Sequence, residues 1–174
     1  LDGREIWSVR YRGDGALAPR PVFAHGLVFV SAGYLRSDLL AIRPDGRGDV
    51  TDTHVVWRAS KGAPLGPALL ALGDELYAVN QAGLATCWDA RTGQVHWQEK
   101  IGGPHSAAPL AANGRLYFLA ESGTTTVLKA GREFTVLATN LLDETAFASP
   151  AAIEGALFIR TTHHLYRIGE TRPH

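Results

Sequence analysis

The chain has 174 residues, 45% of them hydrophobic, and its 17 Lys plus Arg balance 17 Asp plus Glu to a formal net charge of zero. That hydrophobic share excludes a disordered polyelectrolyte, and a neutral chain without a basic stripe argues against nucleic acid as a partner. Cys87 is the only cysteine, which excludes an intrachain disulfide and a thiolate zinc cluster; no apolar run approaches the roughly 18 residues of a membrane span.

In chain order, Glu5-Ile6-Trp7-Ser8-Val9 reads as an isolated strand. Four similar strand pairs follow, at Pro21 to Val30, Leu69 to Ala78, Pro109 to Phe118 and Pro150 to Ile159. With Pro21, Leu69, Pro109 and Pro150 taken as equivalent, the intervals are 48, 40 and 41 residues. A period of roughly 40 to 50 residues built from short strands is the mark of β-propeller blades. Each unit reads as an inner strand, a Gly- or Asp-centred hairpin, an apolar second strand and two outer strands. The third shows it best: Pro109 to Ala112, a type I′ turn at Asn113-Gly114, Leu116 to Ala120, Thr125 to Lys129 and Phe134 to Ala138. The blades are expected at about 19–60, 66–101, 106–140 and 148–168, the last completed by residues 4–10. The expected fold is therefore all-β, one propeller array of four four-stranded antiparallel blades, with the N-terminal strand closing the last. Closure can occur within one chain or across two chains in an eight-bladed ring.

The second unit contains Thr86-Cys87-Trp88-Asp89-Ala90-Arg91-Thr92-Gly93-Gln94-Val95-His96-Trp97. Asp89 can cap the turn, Gly93 can supply positive φ, and Trp97 can wedge between blades from the outer strand. Asp-x-x-Thr-Gly followed by Trp four residues after Gly resembles the repeat of pyrroloquinoline-quinone-like (PQQ-like) propellers. Trp7 follows Gly3 by the same four residues and Trp57 ends the matching strand of the first unit, whereas the third unit has Val136 and no Trp. The resemblance implies seven or eight blades, hence a homodimer closing the ring or the remainder of a longer chain. The opening Leu1-Asp2-Gly3 without Met suggests a piece of a longer product. The resemblance also implies a bacterial protein, periplasmic or extracellular. Quinoprotein members hold their cofactor with a stacking Trp, a calcium and often a disulfide of adjacent cysteines. Cys87 cannot form that disulfide and all four tryptophans fall in strands, so PQQ is not expected here.

Connections between blades and loops between second and third strands share one propeller face, the usual ligand face. It would collect Tyr34, Arg36, Asp38, Lys61, Asn80, Gln81, His105, Glu121, Asp143, Glu144, Arg160, His163 and His164. Tyr34, Arg36, Asn80, His105, Glu121, Glu144, Arg160 and His163 are the ligand-face candidates, mixed-sign groups suited to a polar small molecule or a protein loop. A solvated propeller top is polar in any case, so these residues name a surface and not a reaction. His163 and His164 would point to opposite sides of a strand and cannot chelate one ion together. In the loop Arg43 to Thr53, Asp45, Asp49 and Asp52 could offer oxygen ligands to calcium. The spacing is not that of an EF-hand, since Arg47 holds position three, and Asp with Gly also builds ordinary hairpin loops. The motifs of serine hydrolases, zincins, phosphate loops and dinucleotide folds are missing. The expected function is a non-catalytic scaffold or binding module presenting the loop face to a protein or polar ligand. The alternatives are half of a quinoprotein oxidoreductase, or a carbohydrate-active propeller using Asp143, Glu144 or Glu121.

Overall fold

The computed structural model describes residues 2–11, 19–33 and 37–169, and all regular structure in them is β. After β1 (Trp7–Ser8), blade 1 is built from β2 (Val22–Ala24), β3 (Leu27–Ala32), β4 (Asp38–Ile42) and β6 (Val55–Ala59), with β5 (Gly48–Asp49) in the loop before β6. Blade 2 is β7 (Leu70–Leu72), β8 (Glu75–Val79), β9 (Leu84–Asp89) and β10 (Val95–Lys100). Blade 3 is β11 (Leu110–Ala112), β12 (Arg115–Leu119), β13 (Thr124–Lys129) and β14 (Val136–Leu141). Among the described residues, blade 4 holds three strands, β15 (Ala151–Ile153), β16 (Ala156–Arg160) and β17 (Leu165–Gly169). All pairings within blades are antiparallel. The first hairpins follow the sequence closely. Asn113-Gly114 takes φ of 51° and 70°, and His25-Gly26 and Glu154-Gly155 do the same. Two positive φ values in succession define the type I′ turn, whose twist suits two-residue hairpins.

Alternation along each strand sends one set of side chains to the preceding blade and the other to the next. Leu27, Phe29, Leu39 and Ala41 of blade 1 meet Leu76, Ala78, Trp88 and Ala90 of blade 2 in one buried cluster. Tyr77, Val79, Ala85, Cys87 and Trp97 meet Leu116, Phe118 and Leu128 in the second. The third cluster, Ala107, Leu119, Ala146 and Ile159, is smaller. At about 25 cal/mol per Å² of apolar surface removed from water, these junctions supply most of the drive to fold.

The inner strands β2, β7, β11 and β15 neighbour one another in that order, and no comparable contact joins β15 to β2. The four blades therefore form an open arc. Its two end faces are apolar and exposed: Phe23 is 67% accessible at one end, Ile153 60% and Leu165 69% at the other.

The N-terminal strand does not join blade 4 of its own chain. Instead β1 pairs in parallel with β5, Trp7 opposite Gly48 and Ser8 opposite Asp49. Arg10 holds Asp49 at 2.7 Å, and the Trp7 Nε1–H donates to the Pro44 carbonyl at 3.0 Å. That last bond repeats inside the arc. Trp57 donates Nε1–H to Ala90 of blade 2 at 3.0 Å, and Trp97 donates to Gly131 of blade 3 at 3.1 Å. β1 thus lies where the outermost strand of a blade preceding blade 1 would lie, and the Arg43–Thr53 loop clasps it.

Candidate functional site

The loops between second and third strands and the connections between blades come together on one end of the sheets. The Glu121 N–H donates to the Pro104 carbonyl at 2.8 Å, Ala146 N–H to Glu121 at 3.0 Å, and Thr162 N–H to Thr145 at 2.9 Å. Such bonds tie each connection to its neighbouring blade and fix the face. Between blades 1 and 2 the face opens into a cleft of about 740 Å³ lined by Ser37, Asp38, Ser60, Lys61, Asn80 and Gln81, among others. Its walls are set by short polar bonds. Ser60 donates to Asp38 at 2.5 Å, Asn80 Oδ1 accepts the Leu84 N–H at 3.0 Å, and Gln81 Oε1 accepts the Leu65 N–H at 3.1 Å. Ser31 and Ser37, both buried, turn their hydroxyls to the Pro64 carbonyl.

The remaining candidates separate by environment. Glu144 is the most engaged. Its carboxylate accepts the Thr161 hydroxyl, the His163 N–H at 3.2 Å, the His164 Nδ1–H and the Tyr166 hydroxyl at 3.3 Å. These donors, the Thr161 hydroxyl first, hold its pKa down to about 2. His164, not His163, carries the side-chain contact; its ring also lies 5.6 Å from that of Tyr166, and His163 is exposed. Glu121 accepts the Ser106 hydroxyl at 2.5 Å, and Arg160 is exposed at the end of β16. His105 is buried, its Nδ1–H on the Gly103 carbonyl at 2.8 Å and its Nε2 without a partner. Burial lowers its pKa, so it underlies the face as a neutral ring. Tyr34 and Arg36 lie outside the described residues.

Sequence reasoning passed over Thr161 and Tyr166, although the Thr161-to-His164 spacing is that of a side-chain-capped turn: Thr161 Oγ1 accepts the His164 N–H at 3.1 Å. Asp45, Asp49 and Asp52 do not converge. Asp49 faces Arg10 and accepts the Thr51 N–H, while Asp45 lies beside Arg43 and His54. Among the described residues, no three His, Cys, Asp or Glu side chains form a group able to hold a metal ion. Cys87 is buried beneath Trp97, and burial pushes its thiol up to about 12. As a whole the face carries polar groups held in place by internal hydrogen bonds.

Comparison with known proteins places this architecture. The chain is similar to BamB from Moraxella catarrhalis, with a TM-score of 0.65 and 12% identity over 82% of this chain and 40% of that one. It resembles the quinohemoprotein alcohol dehydrogenase ADHIIG of Pseudomonas putida HK5, with a TM-score of 0.68 and 16% identity over 88% of this chain and 29% of that one. It also resembles the computationally designed Ika8 protein, with a TM-score of 0.75 and 13% identity over 98% of this chain and 50% of that one. The chain thus spans half or less of each of these proteins. No curated protein matches it in sequence at a significant level. Residues 46–133, just over half of the chain, match the family model described as outer membrane protein assembly factor BamB. With the Trp-wedged four-stranded blades, that match shows that the chain belongs to the PQQ-like β-propeller repeat family.

Proposed function

We propose that this chain is a non-catalytic propeller scaffold whose loop face binds a protein segment or a polar ligand. The observation that carries this reading is the cleft between blades 1 and 2, where Lys61, Asn80 and Gln81 stand on walls fixed by internal hydrogen bonds. A pre-formed concave surface with a few oriented polar groups suits recognition. The carbohydrate-active reading is weaker, because a carboxyl held near 2, as Glu144 is, is a poor general acid at neutral pH. A bound quinone also suits the chain poorly. Trp57, Trp88 and Trp97 pack in blade junctions, Trp7 reaches Pro44, and Cys87 is buried at the second junction. A photo-crosslinker placed at Lys61 should capture one recurrent partner that the same probe at Arg91, exposed on the opposite end of the sheets and outside both clefts, does not. Equal labelling at both sites sinks the reading, as does a stable complex with PQQ and Ca²⁺ that raises the melting temperature.

The same reading includes a second copy of the chain. The position of β1 as the outer strand of a preceding blade, the β17 edge, which pairs with no fourth strand among the described residues, and the two exposed apolar end faces support a twofold ring. Each chain would lend its first strand to its partner's fourth blade. A mass in solution near 18.7 kDa overturns that closure.

A further inference from the structure

On the face that each blade turns to the next, one cross-strand row runs from the second strand to the fourth. In blade 1 the row is Phe29, Ala41, Trp57; in blade 2 it is Tyr77, Cys87, Trp97. In blade 3 it is Tyr117, Val127, Ala138. A register irregularity follows the row in all three blades, so the equivalence is structural. Ala138, not Val136, therefore holds the place of the tryptophan wedge.

The consequence for the junctions is direct. Trp57 lies 5.8 Å from the Phe29 ring and Trp97 lies 6.1 Å from the Tyr77 ring, each indole filling the space between blades. Between blades 3 and 4, Tyr117 has no such partner among the described residues. There a cleft of about 710 Å³ opens, lined by Ala111, Arg115, Tyr117, Leu157 and Ile168, among others. Arg115 lies at this cleft in the row where blade 2 has Glu75, and its cross-strand partner is Lys129.

We infer that this cleft is a docking site for a tryptophan side chain of a partner polypeptide, with an acidic residue beside the tryptophan. The occupant is named by the two junctions before it, where the same row holds an indole against an aromatic ring. An indole gains both apolar burial and the tilted aromatic contact, and the neighbouring Arg115 and Lys129 favour a carboxylate next to it. The site lies at the hairpin end of the sheets, lined by Asn113 and Glu154, away from the loop face, and stands independently of the function proposed above.

The test titrates the whole chain, isotopically labelled, with acetyl-Trp-Asp-amide and with acetyl-Ala-Asp-amide as control. Saturable shifts are expected at Tyr117, Leu157 and Ile168 with the first peptide only. Ala138→Trp, a change at an exposed position, should supply the indole from within the chain and weaken binding at least about tenfold, a 1.4 kcal/mol change. Arg115→Glu should reverse the preference, so that acetyl-Trp-Lys-amide binds better than the acidic peptide. Equal shifts with the alanine control, undiminished binding to Ala138→Trp, or absence of saturation each overturn the inference. So does a finding that the shifts arise from association of two chains, seen as a peptide-dependent rise in mass.

Discussion

Two kinds of blade junction coexist in this arc. At the first two, a tryptophan from one blade lies against an aromatic ring of its own blade and donates Nε1–H to a turn carbonyl of the next. At the third, the matching position is Ala138 and the apolar cluster shrinks to four small or medium residues and Leu142. At the loop end a polar group joins that cluster: Glu144, from the connection, gathers Thr161, His164 and Tyr166 of blade 4. The difference teaches that one repeat can exchange apolar wedging for a hydrogen-bonded lock. The wedge acts by removing area from water, and the lock by pairing a carboxylate that would otherwise lose hydration.

The comparison is broken most easily at the wedge. Trp97→Ala should cost about 3 to 5 kcal/mol in denaturant unfolding, the range for deleting a large buried aromatic. Trp57→Ala, at a less buried residue, should cost less. If either change is tolerated as well as Ala138→Gly, the two kinds of junction do not differ energetically.

The lock has a pH signature. Glu144 has a folded pKa of about 2 against an ordinary value of 4.5. A depressed carboxyl adds stability that is complete above the unfolded pKa and is lost as pH falls through the folded one. Glu144→Gln should therefore lower the melting temperature at neutral pH, and the deficit should shrink between pH 4.5 and 2. A deficit that does not change with pH would mean that the carboxylate charge plays no part in the lock.

Beneath the second wedge, Cys87 should resist alkylation by iodoacetamide in the native state, since a thiol pushed up to about 12 exposes almost no thiolate at neutral pH. Modification as fast as that of a free thiol would show the wedge to be open on that timescale. The smallest effect expected is at the β1 clasp. Ca²⁺ should leave the melting temperature unchanged, because Asp49 already faces Arg10 and Asp45 faces Arg43 and His54. A rise with Ca²⁺ would restore the calcium reading of that loop.

Much of this was readable along the chain. Local chemistry wrote much of the hairpins, since the glycine of each pair and Asn113 favour the left-handed φ values that a tight turn needs, while Glu154 takes such a φ without a propensity for it. The spacing of the motif around Asp89 and Gly93 also placed Trp97 on an outer strand. In both cases cause and effect lie within a dozen residues.

What counting residues could not give was the partner of each group across a junction. The outer strand of blade 3 returns after one more residue than that of blade 2: Val127 to Ala138 spans eleven positions, Cys87 to Trp97 ten. Sequence spacing alone therefore points short of Ala138. Glu144 finds Tyr166 22 residues on, and Trp7 finds Pro44 37 residues on, distances at which no local propensity acts. The sequence by itself determined the repeat, the turns and the all-β class, because these follow from backbone sterics and two-residue alternation. Only the tertiary structure decided which junctions carry a wedge, which carries a lock and where the first strand lies, because those depend on register between strands that meet only after the blades have packed.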